Sequence, residues 1–221
     1  MDVQDHDARS VLFHEAALAR MAEHPGLLDR ARATFARWNA VDRRRDGSRA
    51  AWDALLRKHV RWLPDNKQSR VNYKGFAADK AGFKKVLDAF SAVPRADFDK
   101  WTREQQMVFL TNAYNAFTIQ HILSKYPDLK SIKDLGSLIQ SAWKKKFFTL
   151  LGEERHLDWI EHEQLRPRYN EPRIHVAVNC ASIGCPALPP EAFTPARFDT
   201  QLEEGMVRFL GDRTRNRMAD G

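Results

Sequence analysis

Apolar residues recur at helical spacing along most of the chain and alternate in only a few short stretches. Val11, Ala16, Leu18 and Met21 predict one helix, broken at His24-Pro25-Gly26, and Leu28, Ala31, Phe35 and Trp38 stripe a second. A polar linker from Asp42 leads to Ser48, a candidate N-cap for a helix carrying Trp52, Leu55 and Leu56. These features set an N-terminal helical extension, residues 1–45, apart from a single α+β domain, residues 46–221. Within that domain, Val71-Asn72-Tyr73 predicts a short extended piece. A helix is expected from Lys80 to about Phe90, ending at Val93-Pro94.

The pattern from Thr102 onward is the most telling. Thr102 and Gln105 form a capping box for a helix expected to run to Tyr126, where Pro127 stops it. Glu104, Thr111, Thr118 and Lys125, seven apart, predict one narrow wet seam, and almost every other position is apolar. A helix apolar nearly all round is buried. Asn112 and Asn115 share the stripe of Val108, Ile119 and Ile122, so both amides are expected in the core. Each costs about 1–3 kcal/mol there if left unpaired, so each needs a specific partner. Beyond it, Lys146–Leu151 and Arg155–Leu157 around Gly152-Glu153 predict a hairpin. Asp158 is expected to cap a helix through about Arg166. Pro172–Cys180 reads as a strand, Ala181–Pro190 as a loop and Ala196–Leu210 as an amphipathic helix. The sum is a mostly helical α+β fold: a buried central helix packed on a small β-sheet.

Composition narrows the function classes. With 43% hydrophobic residues and 13 Phe the chain has material for a core, and no window reaches the ~18–20 apolar residues of a membrane helix. The acidic first residues carry no export signal, which predicts a cytoplasmic chain as it stands, or a periplasmic or secreted one if a leader has been trimmed. A net charge of +7 invites an anionic partner. The basic runs Arg43–Arg45, Lys144–Lys146 and Arg213/Arg215/Arg217 sit in no nucleic-acid motif, so solvated faces explain them better. A small molecule or peptide is the expected partner. The two cysteines, five apart, exclude a disulfide scaffold, and any role they have is local.

Several ordered motifs resemble one family. They are Phe109-Leu-Thr-Asn-Ala-Tyr-Asn-Ala116, Tyr126-Pro127 with Ser131-Ile-Lys-Asp134, and Leu157-Asp-Trp-Ile-Glu-His162 with Leu165-Arg166. Pro172-Arg-Ile-His175 through Asn179-Cys-Ala-Ser182 and Cys185-Pro186 complete the set. Together they look like the family known as domain of unknown function 547, over roughly residues 50–210. The resemblance implies a chain that continues past residue 221 and, for many bacterial members, export; it implies no reaction.

The candidate chemistry is a Cys/His/Asn polar site. Cys180 is the natural nucleophile, with the amides of Ala181 and Ser182 available to an oxyanion; the alternative is a buried structural cysteine. His175 is a tempting base, but five residues of strand span ~16 Å and put the two side chains on opposite faces. His162 or His121 is the easier partner. Asn112 and Asn115 would orient the base or bind the oxyanion. Glu161 falls on the apolar stripe of Leu157 and Leu165, and so is either ion-paired with Arg166, Arg173 or His175, or catalytic. Asp158 and His162 stand four apart, a carboxylate–imidazole spacing. Cys180, Cys185, His162 and His175 are zinc-compatible types, and the Cys-x4-Cys spacing lies within the broad zinc range, but no second close pair completes a site, so no metal or cofactor is expected. A Cys180–Cys185 disulfide fits only an exported chain. Three readings follow: a cysteine-dependent hydrolase or acyl transferase; a non-catalytic interaction or ligand-binding module whose polar cluster is structural; and a basic surface for an anionic polymer.

Overall fold

The structure, a computed structural model, describes residues 49–137, 141–182 and 184–216. The two helices expected between residues 8 and 42, and the Ser48 cap, lie outside them. A helix, α1 (residues 49–59), leads into a hairpin of β1 (Val60–Trp62) and β2 (Ser69–Val71). Then come α2 (Tyr73–Ala78), α3 (Lys80–Ser91), α4 (Arg95–Phe98) and the long α5 (Arg103–Leu123). Two 3-10 turns, Ile132–Leu135 and Ala142–Lys144, precede a second hairpin, β3 (Phe148–Leu150) with β4 (Glu153–Arg155). A π-helix, Trp159–Leu165, runs on into one α turn, α6 (Arg166–Arg168). A 3-10 turn at Pro172–Val176 opens an irregular strap, and 3-10 turn Pro195–Arg197 closes it before α7 (Phe198–Leu210). The chain is α+β and mostly helical, and among the described residues its strands form two separate antiparallel hairpins rather than one sheet.

The core forms around α5, where the sequence pattern places it. Its capping box is present: the Gln105 amide donates to Thr102 Oγ1 at 3.3 Å and the Thr102 amide to Gln105 Oε1 at 3.0 Å. Met107 through Ile119 is buried without interruption. The expected wet seam does not exist along this stretch, because Thr111 and Thr118 are buried with the rest. Helix α3 covers one side of α5 through Phe90 against Phe109 and Phe117. The β3–β4 hairpin contributes Phe148, stacked 3.9 Å from Phe117. Its turn uses Leu151 and Gly152 with φ of 53° and 88°, the left-handed pair that a tight hairpin's twist requires.

The segments on either side of Tyr169 also depart from expectation. Pro172–Cys180 is not a strand: Pro172 starts a 3-10 turn, Glu171 accepts from the Arg173 amide, and the chain continues without a ladder partner. The helix after Asp158 is π rather than α, and Asp158 does not cap it. The cap is His156, whose Nδ1 accepts from the Trp159 amide at 3.0 Å.

Candidate functional site

Of the residues singled out in the sequence, Asn112 and Asn115 hold the main chain of the strap, residues 172–194, and Cys180 lies within it. Asn115 donates from Nδ2 to the Ala177 carbonyl and accepts at Oδ1 from the Asn179 amide, both at 2.9 Å. Asn112 grips one residue from both sides, donating to the Phe193 carbonyl at 2.9 Å and accepting from its amide at 3.1 Å. Both side chains are 2% exposed. Each amide thus does what a neighbouring β-strand would do, which is why a segment without a ladder crosses the core with its peptide groups satisfied. Sequence reasoning found these two and missed their helpers. Asp53 on α1 accepts from the Ala192 amide at 2.8 Å. Gln201 on α7 accepts from the Thr194 amide and donates to the Ala192 carbonyl. A polar Gln201 between the buried Phe198 and Leu202 was the available signal.

The loop after Asn179 is braced internally. Asn179 accepts from the Ala181 amide and donates to the Pro186 carbonyl at 2.7 Å, and Ala181 takes a φ of 55°. Cys180 and Cys185 are joined as a disulfide. Bonded sulfur carries no thiolate, so the free nucleophile expected at Cys180 is absent in this state. The Ala181 amide, expected to await an oxyanion, is occupied by Asn179. The Asn112 and Asn115 amides are likewise committed to the main chain, not to a base or an oxyanion. Arg215 reaches back to the Cys185 carbonyl at 2.7 Å and is itself held by Asp212 at 2.6 Å. Asp212 is fully buried, and its bonds from Thr214, Arg215 and Gln68 keep its carboxyl well below the usual range.

Glu161, His162 and His175 form a second, separate group around the π-helix. Glu161, with its side chain 12% exposed, accepts from Arg166 at 2.7 Å. Arg166 stands five residues on, the neighbour distance of a π-helix rather than of an α-helix. Of the partners considered, Arg166 is the one that pairs with Glu161; Arg173 binds Glu171 and Asp199 instead. His175 is exposed, 3.5 Å from Arg166 and edge-on to Phe209. His162 is exposed and its nearest acid is Glu161 at 4.0 Å, so the expected Asp158 pair is replaced. The buried Tyr114 hydroxyl lies near the same carboxylate without a regular hydrogen bond; burial first, then the Glu161 charge, raises its pKa far above the ordinary value. His121 stacks on Phe147 and bonds to the Ala142 carbonyl at 3.0 Å, remote in role from Cys180. Among the described residues no three His, Cys, Asp or Glu side chains converge to hold a metal.

The family model described as a protein of unknown function, DUF547, matches residues 98–210, from the end of α4 through α7. The chain belongs to the DUF547 family. Asn112, Asn115, the disulfide, the π-helix and Gln201 all fall within the DUF547 span, whereas Asp53, Gln68, Asp212 and the β1–β2 hairpin fall outside it. No curated protein and no solved structure matches the chain.

Proposed function

We propose that this chain is a non-catalytic binding module whose polar cluster fixes the course of the strap. The observation that carries the reading is the pair of amide grips from α5, Asn112 on Phe193 and Asn115 on Ala177 and Asn179. A cysteine hydrolase needs a thiolate, a base and uncommitted oxyanion donors. Here the sulfur is bonded, the exposed His162 and His175 attend Glu161 and Arg166, and three candidate donors are engaged.

The strap and α7 frame a cleft of about 260 Å³ that includes Trp62, Val176, Phe193, Glu204 and Arg208 and none of the hydrolase candidates. Small-molecule pockets run to roughly 300–1,000 Å³, so this one suits a single inserted side chain of a peptide. Its rim charges are balanced, with Arg208 on Glu204 at 3.2 Å and Arg57 near Glu191 at 3.8 Å. Arg208 also lies 4.8 Å over the Trp62 ring. A neutral side chain therefore enters without stranding a charge. A disulfide belongs to an oxidising compartment, so the reading carries with it an exported protein.

Reduced and oxidised protein mixed with p-nitrophenyl acetate should give no stoichiometric burst. A one-equivalent burst that vanishes in Cys180→Ser would restore the hydrolase. Peptides selected from a random displayed library should lose about tenfold in affinity on Trp62→Ala. Unchanged affinity would reject the cleft.

A further inference from the structure

The β1–β2 hairpin carries a feature that neither the strap nor the DUF547 span uses. Arg61 and Arg70 are direct cross-strand partners, and both are exposed on the same face. Like charges opposite one another weaken an antiparallel pair. A three-residue hairpin is a poor place to tolerate that. The two arginines open onto a groove of about 450 Å³ that also includes Lys58, Lys74, Tyr73 and Tyr126. Acid is scarce there. Asp79 serves Lys58 at 2.7 Å and His59 at 2.6 Å, and Arg61 turns one nitrogen back to the Arg57 and Val60 carbonyls. Among the described residues, Arg70 and Lys74 have no carboxylate partner.

The groove is also fixed in shape. His59 packs so closely on α2 that a methyl group at Gly75 would lie 2.3 Å from its ring. Tyr73 sits 6.4 Å from Tyr126 and packs on the small cluster of Ile122, Ile132 and Leu135. Preset walls with uncompensated cations fit an anion that several donors can share, and phosphate oxygens are such acceptors. The volume lies within the range of small-molecule sites. We propose that this groove binds a small molecule through a phosphate or diphosphate group placed between Arg61, Arg70 and Lys74.

Inorganic pyrophosphate titrated calorimetrically into the full chain at low salt tests this. Arg70→Gln and Lys74→Gln should each weaken binding about tenfold. Lys84→Gln, on the exposed face of α3 and paired with Asp88, should change it less than about twofold. A second readout separates the site from diffuse attraction. Pyrophosphate should raise the melting temperature of the wild type but not of Arg70→Gln, whose own melting temperature without anion should exceed the wild type's because the repulsion is gone. Equal losses in Lys84→Gln and Arg70→Gln, or binding of an oligonucleotide with none of pyrophosphate, overturns the proposal.

Discussion

Asn115 touches two main-chain groups of the strap, so leucine in its place strands a buried carbonyl and a buried amide together. At about 1–3 kcal/mol for each group, Asn115→Leu should lower unfolding free energy by roughly 2–6 kcal/mol in urea titration. A loss below about 0.5 kcal/mol would mean the strap does not depend on it. His121 gives a pH signature. Burial lowers its pKa against the opposing bond to Ala142, and Lys145 adds to the lowering. The folded chain therefore takes up this proton less readily than the unfolded one, whose histidine titrates near about 6.5. Its stabilising contribution is complete above that value and fades as pH falls toward the lower folded pKa. His121→Phe should be less stable at neutral pH, yet lose less between pH 7 and 5 than the wild type does. Parallel pH profiles would contradict this. At this scale the sequence was readable where a polar residue interrupts an apolar stripe, as at Asn112 and Asn115. It was unreadable where the partner is main chain far away, as for Asp53.

The elements divide by how strongly local pattern constrains them. Helix α3 follows from apolar spacing, α5 from its near-continuous apolar run and capping box, and the β3–β4 hairpin from its Gly152 turn. The π-helix escaped because its hydrophobic pattern matches an α-helix at Leu157 and Leu165, both fully buried. The wider turn shows in the Arg166 amide bonded to the Glu161 carbonyl five residues back, and in the side-chain pair of the same two residues. A double-mutant cycle of Glu161→Gln with Arg166→Met should return a coupling of about 0.5–1 kcal/mol, discounted because Arg166 is exposed. Zero coupling would show that the wider turn is set by packing alone. Alternation at Ile174, Val176 and Val178 suggested a strand. The three are indeed buried, but Pro172 and the Asn115 grip hold them in a turn and coil instead.

For the whole molecule, the DUF547 membership, the helical α+β class and the buried central helix were legible, and the commitment of the polar residues to scaffolding was not. That depends on distances between α5 and a strap some sixty to eighty residues later. The disulfide closes a short loop. By loop-closure entropy it contributes about 2 kcal/mol. Cys180→Ser with Cys185→Ser should therefore leave the chain folded but shift its urea midpoint modestly. Protein prepared without reductant should resist iodoacetamide at both cysteines until reduced. Rapid labelling of Cys180 before reduction would contradict the bonded state.

The grips on residues 177, 179 and 193 act on peptide groups and are indifferent to the side chains those residues carry. At those three peptides the hold on the main chain does not read the lettering, although Asn179 and Phe193 brace and pack the segment with their own side chains. Positions such as Ala187 and Pro189, which border the cleft away from those grips, can be rewritten while the trace stays put, and a scaffold of that kind can be turned to a new target by changing a few letters.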